Sequence, residues 1–168
     1  NPLAYPLPEG RISLPGGGYH PYDSSFSGLK TAVLQLVQKL KKQNNNVGAE
    51  GILPASTIND IAASFQETVA KGLTKRAIDC AVNFGLTTIV VGGGVAANSG
   101  LRKHLQAAAA KHNLRVLFPP LKYCTDNAAM IGCAAAEHLQ RGHTSPLTLG
   151  ANSRMAVSDI MELYKKSH

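Results

Sequence analysis

The sequence feature that most constrains the fold is a β-branched run that leads directly into three glycines. Thr87-Thr88-Ile89-Val90-Val91 is followed at once by Gly92-Gly93-Gly94. An uninterrupted run of this kind predicts a strand that is buried on both faces. A helix from Gly100 to about Lys111 and a short apolar strand over 114–118 come next. Strand, glycine turn, helix and strand make a βαβ unit, which predicts parallel strands.

Helical periodicity organises most of the remaining chain. The first predicted helix has an apolar face of five residues, Leu29, Val33, Leu36, Val37 and Leu40. A second predicted helix extends from Pro54 to Asn83, and its length allows a break at Gly72. Gly85 is its predicted stop. A third, Ala-rich helix begins near Ala128, and its small residues on every face predict tight packing against other backbone.

Composition divides the chain into three predicted parts. Residues 1–25 are rich in Pro and Gly and predict an irregular arm, with one short strand over 11–14. Residues 26–150 contain the periodic elements of a helix-rich α/β lobe. Residues 151–168 predict a tail with one short helix near Val157 to Tyr164.

Charge and cysteine content limit the classes of function. A net charge of +7 permits binding to a polyanion such as nucleic acid, although lysines at helix ends also complement the helix dipole. The three cysteines form no C-x-x-C pair, which argues against a zinc ribbon or a disulfide scaffold and favours a reducing compartment. Cys80 and Cys133 lie in apolar helical patterns and are expected in the core. No apolar run is long enough to cross a bilayer, so no membrane association is expected.

The glycine run is the first candidate site. At the carboxyl end of a buried strand, glycines let a ligand approach the backbone, and the next helix offers free N–H groups to an anion. Asn98-Ser99 predicts the cap of that helix. The pattern Gly92-x-Gly94-x-x-Ala97 fits a loose dinucleotide fingerprint, but Phe118-Pro119 stands where the fingerprint expects an acid. From these residues alone, nucleotide contact and a tight structural turn both stay open.

Asp126 is the second candidate, because it follows the second strand at the point where the Ala-rich helix begins. In the first helical turn its carboxylate would favour the helix dipole. At the strand-end face it would instead bind a metal or lie beside a phosphate, and both interpretations stay open. The six histidines contain no H-E-x-x-H or other i, i+4 pair, so no histidine ligand set is expected.

Three strings, in this order and spacing, resemble one family. They are Ser25-Phe26-Ser27-Gly28-Leu29-Lys30-Thr31, then Val91-Gly92-Gly93-Gly94-Val95-Ala96-Ala97-Asn98 with Leu101-Arg102, and finally Cys124-Thr125-Asp126-Asn127-Ala128-Ala129-Met130-Ile131. They are similar to the carboxyl-terminal half of the universal tRNA threonylcarbamoyltransferase family, formerly called glycoproteases or O-sialoglycoprotein endopeptidases. The resemblance spans roughly residues 1–150, and the first and third strings are the specific ones.

This resemblance implies a fold, an activity and a site. The family has the actin-like ATPase and sugar-kinase fold, with two α/β lobes around a nucleotide cleft. It transfers a threonylcarbamoyl group from threonylcarbamoyl-AMP to N6 of adenosine 37 in tRNAs that read ANN codons. By resemblance, Gly93 and Gly94 would face the adenosine of that adenylate, or of ATP or ADP, and Asn98 would hydrogen-bond it. Asp126 would be one ligand of an iron or zinc ion, and no separate catalytic residue is implied.

The resemblance also implies that the chain is a fragment. The family's two metal histidines form an H-x-x-x-H motif in an amino-terminal lobe, and that motif is absent from this sequence. The expected partners are tRNA, the missing amino-terminal lobe and, in bacteria, a paralogous subunit and a small ATPase subunit. The chain by itself is expected to be inactive. The implied location is the cytoplasm, or a plastid or mitochondrion in a eukaryote.

Two other classes of function stay open. One is a non-catalytic ATPase-like interaction module, against which the presence of Asp126 and Asn98 argues. The other is a kinase of the same superfamily, of which the Cys124–Ile131 string is not a mark. The protease label has the least support, because the sequence shows neither H-E-x-x-H nor a nucleophile–base pair.

Overall fold

The structure is a computed structural model that describes residues 1–43 and 52–155 of the 168-residue chain. Contacts between residues divide the chain into two units, Asn1–Cys124 and Thr125–His168. The three-part division with boundaries after residues 25 and 150 stays a prediction. The Asn-rich run predicts a solvated loop over 43–53, of which residues 44–51 lie outside the described residues, as does the helix expected near Val157 to Tyr164.

The first unit begins with an antiparallel hairpin. Its strands are β1 (Arg11–Ser13) and β2 (Tyr19–Ser24). Gly17 and Gly18, at φ +90° and +78°, turn the chain back between them, a conformation that glycine adopts without a steric cost. The predicted strand over 11–14 is confirmed as β1, but the prediction missed β2, which pairs with it after the glycine turn.

Two helices follow the hairpin. In α1 (Ser27–Gln43) the predicted apolar face is confirmed, since Leu29 is buried and the other four apolar residues of that face are half-buried. The helix α2 (Ala55–Asn83) continues for 29 residues, so no break occurs at Gly72. Gly85, at φ +62°, follows the end of α2 as predicted.

Gly72 allows close packing between α2 and the amino-terminal arm. A Cβ at this position would lie 3.2 Å from the carbonyl oxygen of Glu9 and 3.2 Å from Nη2 of Arg76. The buried Arg76 donates from Nη2 to the Glu9 carbonyl at 2.8 Å and from Nε to Ser24 Oγ at 2.8 Å. These bonds attach the hairpin to α2 across 67 and 52 residues of sequence.

The predicted βαβ unit is confirmed. β3 (Thr88–Val90) and β4 (Arg115–Leu117) pair in parallel, with Ile89 opposite Val116, and α3 (Ser99–Lys111) connects them. Ile89 and Val116 pack against a small buried core that α2 and α3 supply. Its members are Ile78, Leu105 and Ala109. Burial of these aliphatic side chains stabilises the arrangement of the sheet on the two helices.

The prediction that the first strand is buried on both faces is wrong. Ile89 packs against the core, but Val90 is 76% exposed and Thr88 is exposed as well. Within residues 1–43 and 52–155 this sheet has two strands. The β-branched composition correctly predicts a strand here, but it does not predict how much of the strand is buried.

The described part of the second unit contains one helix, α4 (Ala128–Gln140). None of its residues is buried, so the predicted tight packing of its small side chains is not found. Cys133 on this helix is exposed and Cys80 is half-buried, whereas Cys124 is buried. The prediction of a core position is therefore wrong for Cys133, because an apolar helical pattern does not reveal whether a partner covers it.

The architecture is α/β and helix-rich, with a short parallel sheet, as predicted. The finer assignment to the actin-like two-lobe fold stays a prediction. None of the helices that the structure describes is long and apolar enough to span a membrane.

Candidate functional site

The glycine loop lies at the carboxyl end of β3 and leads directly into α3. Gly93 has φ +84°, a left-handed conformation that favours glycine. A short 3-10 turn, Gly94–Ala97, follows, and in it the Ala96 N–H donates to the Gly93 carbonyl at 3.0 Å. A Cβ added at Gly92, Gly93 or Gly94 would meet no atom within 4 Å. The backbone of this loop is therefore open to a ligand.

Asn98 joins the loop to α3 and uses both ends of its side-chain amide. Its Oδ1 accepts from the Leu101 N–H at 2.9 Å, which confirms the predicted cap. Its Nδ2 donates to Gln66 Oε1 at 3.1 Å. The first turn of α3 contains no acidic residue, so the positive end of its dipole is not offset by a carboxylate in that turn. This end of the helix favours an anion.

Arg102, one turn into α3, makes hydrogen bonds that hold the glycine loop in place. Its Nε donates to the Ala96 carbonyl at 2.6 Å, and its Nη2 donates to the Pro119 carbonyl at 2.8 Å. The guanidinium lies over the Phe118 ring, 4.7 Å from its centre, and Nη2 is 3.5 Å from Cys124 Sγ. The side chain therefore connects the loops that follow the two parallel strands.

A cavity of about 940 Å³ lies beside the glycine loop. α1, α2 and the loop all contribute to its mainly apolar lining, whose polar members are Lys30, Lys41, Gln66 and Asn98. Its volume is in the range of about 300–1,000 Å³ that is usual for small-molecule sites. Sequence reasoning gave no role to Phe26, Lys30 or Gln66. The first two belong to the Ser25–Thr31 string, which was a usable signal, but nothing in the sequence pointed to Gln66.

Next to Gln66, an ionic cluster connects α2 to α3. Glu67 Oε1 lies 3.0 Å from Lys71 Nζ and 3.2 Å from His104 Nε2. The hydrogen bond from Lys71 lowers the pKa of Glu67 most; His104 lowers it further, and burial opposes both. His104 Nδ1 also lies 2.9 Å from the Gly100 carbonyl oxygen. The cluster therefore supports the first turns of α3.

Asp126 belongs to the second unit and is exposed. It directly precedes Asn127, which caps α4 by accepting from the Met130 N–H at 3.1 Å. The interpretation that places Asp126 in the first helical turn is wrong, because Asn127 takes the capping position and the helix begins after it. The structure brings Gly93, Gly94 and Asn98 together in the first unit, whereas Asp126 is part of the other unit.

The resemblance implies a metal ion, and Asp126 alone cannot hold one. Iron or zinc in a protein site takes three or more side-chain ligands. Among the residues that the structure describes, no group of three or more His, Cys, Asp or Glu is placed to hold a metal ion. His138 and His143 come together, with their Nδ1 atoms 3.2 Å apart, but they are only two. The described residues therefore do not form a metal site by themselves.

Several bacterial proteins named tRNA N6-adenosine threonylcarbamoyltransferase are similar to this chain. The chain is 69% identical to the Nostoc punctiforme protein over 164 residues and 69% identical to a Cyanothece protein over 165 residues. It is 60% identical to a Synechocystis protein over 167 residues. These matches cover 98–99% of this chain but only 44–45% of each relative. The chain therefore spans less than half the length of the curated relatives that it matches.

A family model with the same description as these relatives covers most of the first unit. The model is described as tRNA N6-adenosine threonylcarbamoyltransferase, and it matches residues 3–133. That range contains the glycine loop, Asn98 and Asp126 together with the three strings that carry the resemblance. This chain belongs to the tRNA N6-adenosine threonylcarbamoyltransferase family.

Proposed function

We propose that this chain supplies the nucleotide-binding wall of an enzyme that transfers a threonylcarbamoyl group from threonylcarbamoyl-AMP to N6 of adenosine 37 in tRNA. One observation carries the proposal: the open glycine backbone after β3 runs directly into the amino-terminal end of α3. A nucleotide is a flat aromatic base joined through a ribose to an anionic phosphate. The loop offers both an accessible backbone and a helix end that favours negative charge.

In this proposal Gly93 and Gly94 face the adenosine, and Asn98 hydrogen-bonds it. The Asn98 Nδ2 has two hydrogens and gives one of them to Gln66. The second remains for an acceptor on the nucleoside. The apolar cavity beside the loop supplies a surface for the adenine ring, and Phe26 and Val95 are among its lining residues. ATP or ADP would bind through the same contacts.

The proposal extends to Asp126 and to the rest of the enzyme. Asp126 would be one ligand of an iron or zinc ion, whose two histidine ligands would come from an amino-terminal lobe of an actin-like fold. The 44–45% coverage of the relatives supports an additional lobe, and the net charge of +7 suits a tRNA substrate. A paralogous subunit, a small ATPase subunit and a cytoplasmic location complete the proposal for a bacterial protein.

Gly94→Ala is the sharpest test of nucleotide contact. Gly94 is outside the left-handed region and an added Cβ meets no protein atom, so the fold should tolerate alanine. A bound nucleotide, in contrast, would collide with the new methyl group. The test protein is a full-length chimera in which this chain replaces the matching segment of the Nostoc punctiforme relative. AMP affinity, measured by titration calorimetry, should fall about tenfold in Gly94→Ala.

Two further variants make this test specific. Gly16→Ala is the matched control, because Gly16 also has open space at its Cβ and an ordinary backbone conformation but lies in the hairpin turn. Asn98→Ser keeps a capping oxygen and removes the amide, so it should weaken AMP binding by about one decade without uncapping α3. Unchanged AMP affinity in both Gly94→Ala and Asn98→Ser would contradict the proposed nucleotide site.

A further inference from the structure

Arg102 contacts the backbone at Asn98 and also two residues before it. The Arg102 backbone N–H donates to the Asn98 carbonyl at 3.1 Å, and its side-chain Nε donates to the Ala96 carbonyl two residues earlier. Ala96 is buried, with 1% of its surface exposed. The Arg102 side chain therefore fixes the backbone two residues before Asn98, at the carbonyl of a buried residue.

The same guanidinium also fixes the loop relative to the sheet. Its second hydrogen bond goes to Pro119, in the segment that follows β4, and its face covers the Phe118 ring. The glycine loop follows β3. Because a planar guanidinium holds its donors in a rigid fork, two carbonyls from separate loops are kept at a set distance. A lysine ammonium has no such fork.

The charge of Arg102 is held by dipoles rather than by a carboxylate. No ion pair within residues 1–43 and 52–155 includes Arg102. Its partners are two carbonyl oxygens, a thiol sulfur and an aromatic ring. Carbonyls and rings hold a cation only from particular directions, so the interaction favours one arrangement of the two loops.

We propose that Arg102 is a positioning residue that sets the nucleotide-binding geometry of the Gly92–Asn98 loop, with its guanidinium acting through the Ala96 and Pro119 carbonyls. The inference rests on the proposed nucleotide site. It predicts that AMP affinity depends on the guanidinium, although Arg102 itself need not touch the nucleotide. It also predicts that the KM for threonylcarbamoyl-AMP, rather than kcat, reports the loss.

The test compares Arg102→Ala and Arg102→Lys with Arg115→Ala in the full-length chimera. Arg115 is the matched control, because it is an exposed arginine on β4. Arg102→Ala should weaken AMP binding and raise the KM about tenfold, with kcat at saturation within about twofold of the parent. Arg102→Lys keeps the charge and part of the packing, so its AMP affinity and KM should lie between those of the parent and those of Arg102→Ala. Hydrogen exchange should accelerate at the amides of Gly94–Ala97 and stay unchanged in the middle of α2.

The outcomes separate this inference from the proposed function. A purely structural role would lower the melting temperature and the active fraction while leaving the KM and AMP affinity of the folded enzyme unchanged. If Arg102→Ala fails to fold, Arg102→Lys carries the test. Parental AMP affinity in the folded Arg102 variants, with weakened binding in Gly94→Ala and Asn98→Ser, would overturn the positioning role alone. Parental affinity in all of these variants would overturn the nucleotide site as well.

Discussion

The glycine loop and the Asp126 segment differ in how this chain supports them. The loop is held by the Arg102 side chain, contains the buried Ala96 and adjoins the cap of α3. Asp126 is exposed, and the helix that follows it has no buried residue. Yet the Cys124–Ile131 string is a specific family motif, whereas a glycine loop by itself is common. The most specific motif therefore lies in the part of the chain that the described residues bury least.

This difference has a simple physical interpretation. The loop is shaped by local backbone conformation and by the Arg102 side chain on α3, all within the first unit. If Asp126 is the metal ligand proposed above, its carboxylate has to remain accessible until the other ligands surround the ion. The exposure of Asp126 suits a carboxylate whose other metal ligands would come from other protein.

The largest effect should come from Asp126→Asn in the chimera. The amide keeps the size of the side chain but removes the charge that a cation needs, so transfer should fall by at least about a hundredfold and metal content should drop. Folding should be unaffected, because Asp126 is exposed. Modified tRNA and bound iron and zinc are the measurements. Glu137→Gln, an exposed carboxylate on α4, is the matched control.

If Asp126→Asn retains normal metal content and normal transfer, the Asp126 segment has no role in the site. That result would leave the proposed nucleotide contact of the glycine loop unaffected. Loss of activity in Glu137→Gln would instead point to a general requirement for negative charge near α4.

A pair of leucine truncations tests the packing side of the comparison. Leu105 is 3% exposed in the core on α3, and Leu139 is 68% exposed on α4. Leu105→Ala should cost about 3 kcal/mol of unfolding free energy, through lost burial and a residual cavity. Leu139→Ala should change it by no more than about 0.5 kcal/mol. Urea denaturation of both variants in the chimera gives the difference; equal losses would mean that other protein covers α4.

The smallest effect concerns acid stability of the link between α2 and α3. The pKa of Glu67 is lowered in the folded protein, so its contribution is fully present above the unfolded value and is lost as pH falls through the folded pKa. The stability difference between the parent and Glu67→Gln should therefore shrink from pH 7 to pH 3, by about 0.5 kcal/mol. Thermal melts across this range measure the difference. In a Lys71→Gln background, most of this pH dependence should disappear. If the stability difference between the parent and Glu67→Gln stays constant from pH 7 to pH 3, the lowered pKa of Glu67 is refuted.

The parts of the fold that sequence predicts are those that local interactions determine. Asn98 as a cap, Gly85 as a helix stop and the parallel pairing of β3 with β4 each depend on a few neighbouring residues or on a known connection rule. The apolar face of α1 follows from spacing alone. The caps and the α1 face are confirmed because their deciding contacts lie close together in the sequence, and the strand pairing is confirmed because the connection rule fixes its direction.

The parts that sequence misses depend on contacts between distant residues. Gln66 meets Asn98 across 32 residues, and Arg76 meets Glu9 across 67. Gly72 looked like a place for α2 to break, but it makes room for the arm. The burial of β3 and α4 was overestimated because a pattern shows which face is apolar and not whether anything lies against it. For the site, the loop and its cap were predicted, while Arg102 and Gln66 received no role.

The continuity of α2 has a consequence for how this chain can evolve. At about 1.5 Å per residue, its 29 residues extend for about 44 Å, with Gln66 facing the cavity, Arg76 holding the arm and Ile78 entering the core. Inserting or deleting one residue would rotate everything beyond that point by about 100°. A change of length between Ala70 and Arg76 would thus turn the cavity wall away from the contacts at Arg76 and Ile78. Point substitutions can accumulate along this helix, but its length is effectively fixed by the three surfaces that it keeps in phase.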